Sequence, residues 1–247
     1  MSLSGRLTRR ALLLAPGLAA LPLAAQPAPL TVLIDGSIEM PQALFKDGQA
    51  LDGLQYHLAM EIGQHLGRPV RFRLVPRRRV AQILAEDQEA DMICNYMPGW
   101  LPGPLLWSRP YRDDGDLLIT AARHAAVTQL QDIAGQRVGT VAGFHYPEAE
   151  AVLGANFLRD DAPNLVTNLR KLASGRIEHA IVGKVTFEYL LKRGEVPLDL
   201  HPPLVIARLR TSCALSPRSS LSLPQLDAAL AAMQADGSLT RVLDRFR

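Results

Sequence analysis

Cysteine is scarce in this chain: two residues, Cys94 and Cys213, among 247. Two cysteines exclude a disulfide-dense mini-protein and a four-cysteine zinc site. Net charge is nearly absent as well. The formal +3 comes from 27 Lys+Arg against 24 Asp+Glu, and Arg6, Arg9 and Arg10 in an acid-free leader account for all of it. The remainder is neutral, which removes the electrostatic argument for a nucleic-acid partner. Beyond the leader no stretch reaches the roughly 18 consecutive apolar residues of a membrane-spanning helix. The 18 Gly and 18 Pro show no Gly-X-Y period, and an apolar fraction of 48% is too high for a disordered chain. Also missing are Gly-x-Ser-x-Gly, His-Glu-x-x-His, Cys-x-x-Cys and a phosphate-binding Gly-x-x-x-x-Gly-Lys loop. The six histidines (57, 65, 124, 145, 179 and 201) have no metal-ligand spacing. His57 and Glu61 share a helical face, where a surface pair is the plainer reading than a zinc site. No cofactor or metal is expected.

What is present begins with the leader. Residues 1–25 start basic and continue in an apolar run from Ala11 to Ala25 that ends in Leu23-Ala24-Ala25. The run is too short for a span of about 20 residues and closes on the small residues that signal peptidase accepts. We expect a cleaved signal peptide and an exported, periplasmic protein. The pair Arg9-Arg10 resembles a twin-arginine signal, the alternative being an ordinary export signal. No cysteine follows the run, so a lipid anchor is not expected.

The mature chain alternates strand and helix signals. Leu30–Ile34 reads as a buried strand, followed by a loop from Asp35 to about Asp52. Gly53–Leu66 has apolar residues at helical spacing and a stop at Gly67. Val70–Val75 alternates apolar residues with Arg, as a strand with one wet face does. Arg77–Glu86 reads as a helix and Ala90–Tyr96 as a strand. This is the β-α-β-α-β order of a parallel sheet. A Pro/Gly-rich loop with both tryptophans spans 97–110, and Asp116–Ala121 is a strand. A second α/β set runs from about 130 to 200: strands at Arg137–Val141 and His179–Val182, helices at Glu148–Leu153, Asn164–Ala173 and from Thr186. Short strands at Leu204–Ile206 and Ser212–Leu215 precede closing helices at Leu223–Met233 and Ser238–Phe246.

Five segments in this order resemble the periplasmic solute-binding proteins of the amino-acid-transporter type, also described as type II periplasmic binding proteins. They are Gly53–Ala59 (GLQYHLA), Trp107–Tyr111 (WSRPY), Leu130–Thr140 (LQDIAGQRVGT), Gly175–Ala180 (GRIEHA) and Asp236–Leu239 (DGSL). The resemblance implies an α/β fold of two lobes, each a mostly parallel sheet flanked by helices. It implies lobe 1 at 28–114, lobe 2 at 115–207 and a return to lobe 1 at 208–247. Hinge crossings are expected near 112–117 and 205–212. It also implies that the returning strand lies beside the third one, which makes a Cys94–Cys213 disulfide plausible in an oxidising compartment; the alternative is two buried thiols.

The chain departs from the family where α-amino acids are gripped. The family's carboxylate-binding Arg falls here at about Trp100 or Leu101, and its amine-binding Asp falls at Gly183, followed by Lys184. Buried charges left without partners are costly, so a free α-amino acid held in that mode is not expected. In such folds the loops after strand C-ends form the site. The candidate ligand-binding residues are Asp35, Ser37, Arg77, Arg78, Asn95, Tyr96, Trp100, Phe144, His145 and Lys184, with Glu39 and Arg79 close by in sequence. Each has a plainer reading as a solvated or packed residue. As a set, Arg, Lys, His, aromatic and helix-end groups suit a small organic anion.

The expectation is a monomeric binder, not an enzyme, that closes two lobes on a small solute for an ABC importer's permease or a receptor domain. The alternatives are an accessory or sensor protein of a membrane or redox complex, and an enzyme resembling cyclohexadienyl dehydratases with Glu39 or His145 as the acid.

Overall fold

The computed structural model describes residues 27–87 and 89–246. The expected signal peptide lies outside the described residues. Nine strands are joined in one continuous hydrogen-bonded network, and the order across it separates two lobes. In the first, β1 (Leu30–Asp35) pairs in parallel with β4 (Val70–Val75) and β5 (Met92–Tyr96). The helix α1 (Leu54–Leu66) makes the first crossover. Leu54, Leu58, Ala59 and Ile62 face the core, and Gly67 ends it in the left-handed conformation at φ 63°. The second crossover is not one regular helix. Arg77–Arg79 forms a 3₁₀ turn, α2 (Val80–Gln82) follows, and Ile83–Asp87 widens to a π-turn. Val80, Ile83 and Leu84 are nevertheless buried, as their spacing requires.

In the second lobe β8 (Arg137–Val141) pairs in parallel with β9 (Leu158–Ala162) and β10 (His179–Gly183). The helices α3 (Pro147–Leu153), α4 (Leu165–Ala173) and α5 (Lys184–Lys192) connect and flank them. Two long antiparallel strands carry the chain between the lobes. They are β7 (Arg112–Thr120) and β11 (Leu204–Leu215), paired from Thr211↔Arg112 to Leu204↔Leu118. At its far end β11 pairs with β5 and with the two-residue β6 (Leu106–Trp107). The closing helices α6 (Leu223–Ala235) and α7 (Ser238–Asp244) pack back on α1. The apolar cores are separate. One set of clusters draws on residues before 112 and after 212, the other on residues between 117 and 206. The α/β fold of two lobes expected from the sequence is observed.

The differences from the sequence reading have physical causes. The loop after β1 contains a hairpin, β2 (Leu44–Lys46) and β3 (Gln49–Asp52), turned at Asp47-Gly48 with φ 52° and 76°. Asp-Gly is a strong hairpin signal, but its exposed three- and four-residue flanks carry no core-facing run. The strand β9, Leu-Arg-Asp-Asp-Ala, is charged because it is the sheet's edge. The two short strands expected at 204–206 and 212–215 are one, since Arg208 and Arg210 point outward between buried Ala207, Leu209 and Thr211. His57 pairs with Asp52 at 2.7 Å rather than with Glu61.

Cys94 and Cys213 are joined as a disulfide between register-matched positions of β5 and β11. Gly53, which opens α1, sits at φ 108°, and a Cβ there would lie 2.5 Å from the Cα of Ala43 and 2.7 Å from the carbonyl of Gln42. Both obstacles are backbone. Gly53→Ala is expected to destabilise the protein by about 2 kcal/mol or more, read as a lower urea midpoint at unchanged m.

Candidate functional site

A cleft of roughly 950 Å³, part of it open to solvent, runs between the lobes. Eight of the ten sequence-derived candidates line it: Asp35, Ser37, Arg77, Asn95, Tyr96, Trp100, Phe144 and His145. They arrive there because β1 and β5 end at the cleft, and the loop after β8 faces them from lobe 2. Arg78 does not line it. Of the three-arginine run only Arg77 is buried, and Arg78 and Arg79 face solvent. Lys184 does not line it either; its ammonium pairs with Glu188 at 2.6 Å, one turn along α5.

Arg77 bridges the lobes. Its guanidinium lies 4.5 Å from the Tyr96 ring centroid and 5.0 Å from that of Phe144. It donates to the carbonyls of Trp100 and Gly143, each at 3.4 Å, and stands 4.0 Å from the Asp35 carboxylate. Asp35, fully buried, accepts from the Ser37 amide at 2.8 Å, the Ser37 hydroxyl at 2.7 Å and the Tyr96 hydroxyl at 3.0 Å. Burial and the Asp35 charge push the Tyr96 hydroxyl well above the usual tyrosine range, so it stays a donor. Asn95 adopts φ 62°, a left-handed turn that asparagine tolerates, and its side chain contacts Tyr111 and Gln42. Arg77→Ala removes two cation–π contacts and, among the described residues, the one cation beside Asp35. The expected result is a shift of the open–closed equilibrium by about 1–2 kcal/mol, some 5–30-fold, towards the open form. A larger radius of gyration in small-angle scattering would show it.

A second bridge is acidic. The Glu39 carboxylate accepts from the Val166 amide, in the first turn of α4, at 2.8 Å. Burial raises its pKa, and that hydrogen bond offsets part of the rise. The acid considered for catalysis thus holds a helix end of the opposite lobe.

Among the cleft residues that sequence reading missed are Gln55 and three charged ones, Arg112, Asp114 and Asp116. Alternation along β7 puts Arg112, Asp114 and Asp116 on one face, with Asp113 outward and exposed. The signal was the Arg-Asp-Asp-Gly-Asp run at 112–116, read only as a hinge. Arg112 Nη2 donates to Asp114 at 2.6 Å, while its buried Nε has no partner. The side-chain amide oxygen of Gln55 (Oε1), on α1, is also buried without a partner among the described residues. Asp116 is 8% exposed, and no hydrogen bond reaches its carboxylate among the described residues. Burial first, then the charges of Asp114 and Glu148, push its pKa up to about 7.

The charge balance runs opposite to the one expected. Both cleft guanidinium groups have acids beside them, Arg77 with Asp35 and Arg112 with Asp114. The helix after His145 begins with Pro147, which has no N–H, and its N-cap amide, Tyr146 N, is bonded to Glu150 at 3.2 Å. Trp100 and Leu101, where the resemblance puts the family's Arg, are half-buried and buried apolar residues, and Gly183 stands in the cleft where it puts the Asp.

The chain matches no known family profile and no curated protein sequence. Solved structures match it closely in shape. An ancestral arginine-binding protein bound to arginine superposes with a TM-score of 0.73 at 17% identity, over 90% of this chain and 99% of that one. A histidine kinase sensor domain with similarity to periplasmic binding proteins gives 0.74 at 18%, over 88% and 95%. A substrate-binding protein of an ABC uptake transporter from Streptococcus pneumoniae, with bound histidine, gives 0.72 at 18%, over 88% and 92%. The protein therefore has the two-lobed fold of the periplasmic binding proteins.

Proposed function

We propose that this chain is a divergent solute-binding protein of the amino-acid-transporter type, exported to the periplasm, whose lobes close on a small solute. The observation that carries the reading is the cleft itself. It lies between two lobes with separate cores, is lined from both, and is bridged by Arg77 and Glu39. The disulfide agrees with an oxidising compartment. We place the division between lobes at 114/115 and 207/208, so that β7 and β11 carry the hinge. The solute is not an α-amino acid held by paired Arg and Asp anchors, since neither anchor stands at its place. The sequence-derived preference for an organic anion is not kept, because Arg78 and Lys184 lie outside the cleft and Arg77 is engaged. The partner would be a membrane permease. A receptor domain is the second reading, supported by the likeness to a kinase sensor domain.

A thermal-shift screen of the purified protein with amino acids, organic acids, amines and sugars tests the role. Binding to the folded state raises the melting temperature by mass action. A solute that raises it and also shrinks the radius of gyration is the expected result. A response to ordinary α-amino acids would overturn the anchor argument, and silence across the panel would overturn the solute-binding role.

A further inference from the structure

Two guanidinium groups face four carboxyl groups in the cleft: Arg77 and Arg112 against Asp35, Glu39, Asp114 and Asp116. Pairing is local. Arg112 is spent on Asp114 at 2.6 Å, Arg77 stands beside Asp35, and Glu39 is bonded to the backbone of α4. Asp116 is left as the one of the four with neither a cation nor a hydrogen-bond donor beside it among the described residues. A second, independent observation points the same way: the Gln55 side-chain oxygen Oε1, on a residue only 4% exposed, is an acceptor in the cleft wall with no donor among the described residues. A buried acceptor without a partner costs roughly 1–3 kcal/mol, and ionising a largely buried carboxyl with no cation beside it is costly as well. A ligand rich in N–H groups and positively charged would relieve both.

We propose that the cleft is a site for a small organic cation, an amine or a guanidine, whose charged end is held by Asp116, with Gln55 as a further acceptor. The inference rests on the solute-binding reading and names the class of solute. The groups around Asp116 are consistent with it. On its own strand they are Arg112 and Asp114. Ahead of α3 stand His145, exposed at the rim, and Tyr146, with Glu148 on α3 itself. On α5, Lys184 is turned to Glu188; on β11, Arg208 and Arg210 point outward, and Arg210 pairs with Asp113. None of these cations neutralises the Asp116 carboxylate. Burial and like charge hold Asp116 near pH 7, so a cation should bind better as the pH rises and an anion better as it falls.

Calorimetry and thermal shift with butylamine, butylguanidine, butyrate and butanol, at pH 6 and pH 8, test this. The two cations should bind and butyrate should not, with affinity for the cations rising severalfold from pH 6 to pH 8. Asp116→Asn should weaken cation binding at least tenfold, Asp116→Glu should retain most of it, and Arg78→Ala, outside the cleft, should leave it unchanged. Equal cation binding in Asp116→Asn, or binding of butyrate or butanol in preference to the amines, would overturn the cation inference and leave the solute-binding role standing. Silence towards these probes and towards the wider solute panel would overturn both.

Discussion

Replacing Cys94 and Cys213 together by alanine is expected to lower the melting temperature by about 10–20 °C. The bond joins residues 119 apart in sequence, and closing a loop of that size in the unfolded chain corresponds to about 5 kcal/mol in the chain-entropy account. In a protein of this size each kcal/mol moves the midpoint by roughly 2–4 °C. Alanine keeps both sites apolar, which suits positions that are 2% and 0% exposed. The effect should reach the cleft. The bond ties β5, whose C-terminal end carries Asn95 and Tyr96, to β11, which crosses between the lobes. Melting the parent protein with a reductant should reproduce the loss, and reductant should do nothing further to the double variant. A loss under about 3 °C would mean that the unfolded chain is already compact around these strands.

That bond shows how far the sequence carries. The five family-like segments placed the returning strand beside the third, and Cys213 is in register with Cys94. The helix α1 was legible because burial on one face leaves a period, in Leu54, Leu58 and Ile62, and β1 and β5 because strands buried throughout read as short apolar runs. The hairpin β2–β3 and the edge strand β9 were not, because neither presents an apolar face to a core. Residues at strand ends that line the cleft were legible from strand order: Asp35 at the end of β1, Asn95 and Tyr96 at the end of β5. What could not be read was pairing. Arg77 and Asp35 are 42 positions apart and meet only through the fold. An arginine that counts as a ligand group in the sequence is, in the structure, beside an acid, so its charge could not be assigned to a ligand from the sequence alone.

Asp116→Asn is expected to stabilise the protein at pH 8 and to have no effect near pH 4. In the folded state burial holds this carboxyl up to about 7, against an ordinary value of 3.8. Between those limits the folded protein keeps a proton that the unfolded chain has released. Stability from this group is therefore present below about pH 4, falls as pH rises towards 7, and is fully lost above that. About three pH units correspond to on the order of 4 kcal/mol. Asparagine keeps the shape and a hydrogen-bonding head but does not ionise, so the variant escapes the loss. The difference between variant and parent should grow through this window to about 10 °C in melting temperature. Comparing the two proteins at each pH cancels the titration of Glu39 and every other group they share. A gain that does not vary with pH would assign the effect to packing. A loss at pH 8 would mean that a cation of the chain itself already compensates Asp116, which would remove the charge argument for the ligand. Saturating butylamine should close most of the gap at pH 8, because an ammonium beside Asp116 does for the ionised carboxyl what the substitution does by removing it.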